Sequence, residues 1–310
     1  MKQLAAFLRL IRWPNLVFIV LAQWLFSFCI IIPVLRFVHV TPNIHDGYLV
    51  LLSLASVFIA AGGYIINDYF DLNIDRVNKP GKLVVERYIN RRWVIAWHFI
   101  LSLGGIVISF YIDLKTHVRF LGIFNSFCVI LLFIYSISLK KKLLSGNVLI
   151  SLLTAWSVLV ITYCEANNLV ALRFTAATGK ITRLSILYGG FAFVISLIRE
   201  VVKDMEDVEG DRRYGCRTMP IAWGINVSKV FTGVWMVVLF VSIVVLQFYV
   251  LQFGWWYSVV YCVLLILAPL FMAMKRLSNA NEANDFHRLS SLIKIIMLSG
   301  ILSMIFFLFY

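Results

Sequence analysis

Nine long apolar runs divide this chain, at roughly 15–35, 48–66, 93–112, 119–138, 147–166, 184–202, 227–250, 255–274 and 290–310. Each comes near the ~20 residues a helix needs to cross a hydrocarbon core. Inside that core every backbone N–H and C=O must be satisfied within the spanning structure, which admits only helices and closed barrels. The alternating pattern of a membrane β-barrel is absent. The expectation is an all-α polytopic membrane protein, with about nine transmembrane helices in a single bundle and residues 1–310 forming one domain. The charge content agrees: 14% Asp, Glu, Lys and Arg, against about 25% in a soluble domain.

A net charge of +13 raises the question of nucleic acid, but its distribution points to orientation. With the N-terminus inside, 22 of the 28 Lys and Arg fall on inner segments and 6 on outer connections. That bias places the N-terminus in the cytoplasm and the C-terminus outside. The expected location is the cell's inner (plasma) membrane, with no nucleic-acid partner. The runs Arg87, Arg91, Arg92 and Lys140-Lys141-Lys142 are placed to touch anionic membrane lipid. The sequence does not indicate an oligomeric state. Cys29, Cys128, Cys164, Cys216 and Cys262 are scattered without metal-ligand spacing and read as packing residues. The first apolar run is too long for a cleaved leader.

Against this background the acids stand out. Of 15 Asp and Glu, 9 occupy two short stretches, Asp68–Asp75 and Glu200–Asp211. Both follow apolar runs and both fall on the expected cytoplasmic side. In the first, helical spacing puts Asn67, Asp71 and Asp75 near one face. In the second, Asp204, Asp207 and Asp211, at i, i+3 and i+7, again share a face. Clustered carboxylates repel and are costly to desolvate, so they need compensation. A shared divalent cation supplies it, and oxygen-only donors suit Mg²⁺, with phosphate oxygens completing the shell.

Basic residues flank both clusters. Arg12-Trp13-Pro14-Asn15 closes an amphipathic N-terminal stretch, and Arg76-Val77-Asn78-Lys79-Pro80-Gly81-Lys82 follows the first cluster, with Pro-Gly ending its helix. Tyr135-Ser136-Ile137-Ser138-Leu139-Lys140 closes the fourth run, and Arg212-Arg213 follows the second cluster. Such residues make poor metal ligands and good phosphate partners. Small-residue stripes, Ser56, Ala60 and Gly63 in the second run and Gly189-Gly190, Ala192 and Ser196 in the sixth, read as close helix packing. Trp255, Trp256, Tyr257 and Tyr310 read as interfacial belts.

These motifs resemble the UbiA-type superfamily of intramembrane prenyltransferases. Asn67, Asp68, Asp71 and Asp75 match its Asn-Asp-x-x-Asp-x-x-x-Asp motif. Lys203, Asp204, Asp207, Gly210 and Asp211 match its Lys-Asp-x-x-Asp-x-x-Gly-Asp motif. Tyr135-Ser136-x-x-Leu139-Lys140 and Arg12-x-x-Asn15 are similar to two further signatures. The resemblance implies that two Mg²⁺ ions bind a prenyl diphosphate, which ionises at C1 so that an acceptor is alkylated. Asn67, Asp71 and Asp75 would serve one ion, and Asp204, Asp207 and Asp211 the other. Arg12, Asn15, Asp68, Lys79 and Lys203 would bind substrate, with Lys140 and Tyr135 at the reacting centre. No general base is assignable.

The segment Arg199-Glu200-x-x-Lys203-Asp204 through Asp211, followed by Thr218-x-Pro220-Ile221-x-x-Gly224, looks most like the geranylgeranylglyceryl-phosphate branch, which implies a prenylglyceryl phosphate acceptor. One departure weighs against it. After Pro80 many members read Arg-Pro-Ile-Pro-Ser-Gly, where this chain reads Gly81-Lys82-Leu83-Val84-Val85-Glu86. The alternative acceptor is an aromatic ring, as in quinone pathways. A lipid or ion transporter is the rival class, but its acids belong at mid-span rather than at span ends. A non-catalytic lipid-binding protein is a third reading.

Overall fold

The structure, a computed structural model, describes residues 2–79, 81, 83–116, 118–172 and 175–309. Pro80, Lys82 and Tyr310, to which the sequence assigned a helix break, a basic partner and a belt position, lie outside the described residues. In chain order the helices are α1 (Lys2–Leu10), α2 (Trp13–Phe26), α3 (Ile32–Phe37), α4 (Asp46–Asn78), α5 (Arg91–Lys115), α6 (Leu121–Ile137), α7 (Ser145–Cys164) and α8 (Ala166–Ala171). There follow α9 (Ala176–Glu206), α10 (Val208–Arg213), α11 (Met219–Ala222), α12 (Ile225–Leu251), α13 (Trp256–Cys262), α14 (Ala268–Asn279) and α15 (Ala283–Leu302).

Among the described residues eight helical stretches are long and apolar enough to cross a membrane, and α6, at 17 residues, is a ninth apolar helix at the short end of the spanning range. The nine apolar runs are thus helices, but their ends move. The second run continues as helix through the whole first acidic motif, so α4 has 33 residues. At 1.5 Å per residue that is about 50 Å, well beyond a ~30 Å hydrocarbon core. The last span starts earlier than its apolar run, at Ala283, because Glu282 and Asp285 form a reciprocal capping box.

Two spans widen into a single π turn, Ser27–Ile31 between α2 and α3 and Val263–Leu267 between α13 and α14. Each stands just before a proline, Pro33 and Pro269. Proline lacks an N–H and crowds the carbonyl four residues back, here Cys29 and Leu265, both inside the widened turns.

One compact unit is Met1–Lys140 with Trp156–Ile186. There α4 and α5 approach closely: a Cβ on Gly105 would stand 3.0 Å from the Ala55 carbonyl oxygen. On the neighbouring α6, Leu132 would lie 2.9 Å from a Cβ on Gly63, which bears out the stripe reading of the second run. Leu10, Ile65, Leu72, Val84 and Val94 form the core beside this helix end. Polar bonds join the spans where lipid offers no partner: the buried Gln23 Nε2 donates to Ser56 Oγ (2.9 Å) and to the Ser157 carbonyl (3.1 Å). Asp113 of α5 accepts the N–H groups of Leu121 (3.1 Å) and Gly122 (2.8 Å), capping α6 from outside.

Between α7 and α8 lies Glu165, buried. It accepts the N–H groups of Asn43 and Ile44 (3.0 Å each) and Asn168 Nδ2 (2.7 Å). Burial pushes its carboxyl above the usual range, and these three bonds oppose the rise.

The other unit is Lys141–Ala155 with Leu187–Tyr310. Its core includes Val201, Val202, Met219, Met236, Leu270 and Leu289. The stripe reading does not hold at Gly190, where a Cβ would meet nothing within 4 Å. Trp256 and Tyr257 are exposed, as a lipid-interface belt requires.

Candidate functional site

The first acidic motif occupies the end of α4, and α4 stops where Lys79 leaves helical geometry (φ −141°) while its N–H still bonds the Asp75 carbonyl (2.8 Å). Within the helix Asn67 Nδ2 donates to Asp71 Oδ2 (2.7 Å), the i, i+4 contact expected from the spacing. Asp71 is buried, and its Oδ1 is paired with Lys140 Nζ from the tight turn Leu139–Lys141 after α6. Asn67 Oδ1 is buried without a hydrogen-bond partner, an unusual cost in a finished structure.

Arg12 meets the same helix end. It sits between α1 and α2 in a left-handed conformation (φ 52°, ψ 49°), a strain that persists only where surroundings enforce it. Its Nη2 donates to Asp68 Oδ1 (2.7 Å), and its guanidinium lies 5.1 Å from the Tyr64 ring centre. The Asp68 charge holds the guanidinium proton more tightly than usual, against the opposing effect of burial, with Tyr64 and Asp75 adding to it. Asn15 Nδ2 donates to Tyr64 Oη (3.4 Å). Thus Arg12, Asn15, Asn67, Asp68, Asp71 and Lys140 are brought together, with Asp75 in the last turn of α4. Tyr135 is half-buried in the last turns of α6.

Residues 83–91 pack against the end of α4. Val84 and Val85 are buried in the core beside α1 and α4. Glu86, itself left-handed (φ 67°), accepts from Arg76 (2.5 Å) and Arg91 (2.7 Å), and Arg91 lies 5.8 Å from the Tyr69 ring centre. The apolar departure from the family pattern therefore anchors this loop.

The second motif lies at the end of α9, and here the expected single helical face is corrected. α9 ends at Glu206, and Asp207 (φ −98°, ψ 10°) bends the chain into the short α10 that carries Asp211. The Asp211 N–H still reaches the Asp207 carbonyl (3.1 Å), so the turn is deflected rather than lost. Asp204 Oδ2 accepts Asn147 Nδ2 of α7 (2.8 Å). Lys203 Nζ donates to Glu200 Oε1 (2.5 Å), which Arg199 Nη1 also approaches (3.5 Å). His287 Nδ1 stands 2.9 Å from Glu206 Oε1. Gly215, at φ 72°, turns the chain after α10, and the Arg217 N–H bonds the Lys141 carbonyl (2.8 Å).

Sequence reasoning missed Tyr64, Asn147 and His287. Asn147 carried one signal, a buried-type amide near the start of an apolar run, where polar groups are rare without a task. Among the described residues no three His, Cys, Asp or Glu side chains converge as a ready metal centre. The donors at each motif are nonetheless oxygen only, and the orphaned Asn67 Oδ1 beside Asp71 fits a hard cation.

A family model described as the UbiA prenyltransferase family matches residues 27–298. The digeranylgeranylglyceryl phosphate synthase of Methanosphaera stadtmanae is 30% identical over 260 residues, covering 83% of this chain and 87% of that protein. A solved structure concerned with digeranylgeranylglyceryl phosphate synthase in membranes superposes with a TM-score of 0.59 at 24% identity, covering 98% of this chain and 99% of that one. A UbiA homolog from Archaeoglobus fulgidus, bound to GPP and Mg²⁺, superposes with a TM-score of 0.57 at 16% identity, covering 96% and 99%. At those identities the two structures speak for the fold.

Proposed function

This chain belongs to the UbiA prenyltransferase family, and on that premise we propose that it transfers a polyprenyl group from a prenyl diphosphate to a prenylglyceryl phosphate, with Mg²⁺, at the cytoplasmic face of the plasma membrane. The chain acts as one catalytic domain, with the N-terminus inside and the C-terminus outside. The observation that carries the reading is the first acidic end, where carboxylates already stand against Arg12 and Lys140. A site built of paired carboxylates and cations has the inventory for a metal diphosphate. The acceptor class rests on the named relative, which is 30% identical over most of both chains.

Asn67, Asp71 and Asp75 would hold one Mg²⁺, and Asp204, Asp207 and Asp211 the other. When bound, the ions offset charge on the departing diphosphate. The protein's own residues do the rest. Lys140, Arg12, Lys79 and Lys203 contact diphosphate oxygens as the C1–O bond breaks, stabilising charge where it develops. Aromatic faces, Tyr135 first, attract the allylic cation. The acceptor hydroxyl oxygen bonds to C1 and its proton passes to solvent.

The test is turnover by purified protein in detergent, with prenylglyceryl phosphate, 4-hydroxybenzoate and a dihydroxynaphthoate competing and products identified by mass. The phosphate lipid should be alkylated preferentially. A product on the aromatic ring alone overturns the acceptor, and full turnover in excess EDTA overturns the metal. Outside labelling of a cysteine placed at position 81 in intact cells overturns the orientation.

A further inference from the structure

The two acidic motifs are held by the same bond drawn from different sources, and we propose that Asn147 is a positioning residue of the second motif: the asparagine that motif lacks in its own helix, supplied by α7. This inference rests on the prenyltransferase reading above. In the first motif the amide is internal, Asn67 Nδ2 to Asp71 Oδ2 over 2.7 Å, four residues apart on α4. In the second motif the residue four before Asp204 is Glu200, and it is engaged by Lys203 and Arg199. The amide comes instead from 57 residues earlier in the chain, Asn147 Nδ2 to Asp204 Oδ2 over 2.8 Å. The donor atom, the acceptor atom and the length are reproduced, while the covalent route is not.

The surroundings of Asn147 are built to hold it. It is buried, in a helix that carries no charged side chain and no other amide. It lies in the first turn of α7, at the end of the helix that favours a carboxylate. α7 is entered through Leu144 in a left-handed conformation (φ 54°), which a leucine adopts only under constraint. The Arg217–Lys141 backbone bond pins the same connection.

A neutral amide is the right chemistry for this task. It fixes one carboxylate oxygen and leaves the other for a cation. It adds no positive charge that a metal ion would have to displace, as a lysine would. Supporting donors of this kind orient ligands, and their loss typically weakens metal affinity by roughly 10- to 100-fold.

The full chain in detergent, without substrate, is titrated with Mn²⁺ as the probe, free ion being followed by electron paramagnetic resonance. Thermal unfolding is recorded alongside. Asn147→Ala should weaken one class of Mn²⁺ site by roughly 10- to 100-fold and leave the other class unchanged. The Mg²⁺ concentration for half-maximal transfer should rise in step, with prenyl diphosphate KM unchanged at saturating Mg²⁺. Asn147→Leu keeps the γ-branched shape, removes the donor and leaves no cavity, so it carries the test if the alanine variant fails to fold; the same loss is expected. A folded variant that binds Mn²⁺ as the wild type does overturns the proposal. So does a uniform weakening of both classes, which marks a purely structural role. Wild-type protein that binds no Mn²⁺ overturns the metal reading itself, and this inference with it, a result distinguishable from the other two.

Discussion

In one unit Asp68 and Asp71 are met by charged partners, Arg12 and Lys140, whereas in the other Asp204 is met by the neutral amide of Asn147 while the adjacent Lys203 faces Glu200. The acids of the two motifs look alike in sequence, but their charge is handled differently. At the first end a cation must compete with Lys140 for Asp71. At the second no basic side chain bonds Asp204 among the contacts described, and the local lysine is committed to another carboxylate. The first end thus sets two cations directly on its carboxylates, whereas at the second the adjacent lysine shares its charge with Glu200 and has less of it to offer an anion.

The strongest way to break this comparison is to remove one acid from each end. Asp71→Ala and Asp207→Ala should each lower prenyl transfer beyond the roughly 100-fold expected for a merely supporting group, with the fold retained by size-exclusion and thermal unfolding. Near wild-type turnover in either variant would show that the end concerned is not part of the reacting site.

The lysines sharpen the comparison. Lys140→Ala should reduce kcat/KM by roughly 100-fold, the scale of one lost charge-stabilising donor. Lys203→Ala should cost roughly 10-fold or less, because Glu200 already takes up that charge. The same pair separates metal from anion: Mn²⁺ affinity at the first end should rise in Lys140→Ala, since a competitor for Asp71 is gone. Equal losses in the two variants would erase the distinction between the ends.

The parts of this arrangement that were legible in the sequence are those with a period or a run. Apolar runs located the spans, and helical spacing located Asn67 beside Asp71. The Tyr135–Lys140 signature led to Lys140, which does meet Asp71. The bend at Asp207 was invisible because the same i, i+3 and i+7 spacing persists in the residue pattern whether or not the helix continues. Asn147 was faint for a different reason. A lone amide has no period, and its partner lies 57 residues away, on another helix. The Arg76–Glu86–Arg91 clamp was hidden inside what reads as ordinary inside-facing charge.

Glu165 is, beside Asp71, a second buried carboxylate among the described residues, held by neutral N–H donors as the half-buried Asp204 is but with no flanking acid motif. Its role here is structural, tying residues 43–44 to the start of α8. Glu165→Gln leaves one oxygen where two backbone N–H groups need acceptors, and should cost about 1–3 kcal/mol, read as a lower midpoint of unfolding. The pH dependence has a definite sign. Because burial raises the folded carboxyl above its ordinary 4.5, folding favours the protonated form. That contribution is fully present below the ordinary value and is lost as pH rises through the raised one. Wild-type stability should therefore fall across that window, and the glutamine variant should show a flatter profile. Transfer activity measured well below the unfolding midpoint should be unchanged.

The smallest effect is expected at Glu86, where the first end has an exposed counterpart to the more enclosed Lys140–Asp71 pair. Glu86, Arg76 and Arg91 are all more than a third exposed. Exposed pairs contribute about 0.2–1 kcal/mol each and weaken further with salt. Glu86→Gln should therefore shift the unfolding midpoint by a few degrees at most, and less in high salt. The loop should stay in place, because Val84 and Val85 remain buried whatever the residue at 86 carries. With the loop in place, Lys79 and Asp75 keep their backbone bond at the end of α4, and transfer should stay within about twofold of wild type. A loss as large as that of Lys140→Ala would mean that the first end does not stop at the helix, and that freed Arg76 and Arg91 disturb the anion that Lys140 and Arg12 hold.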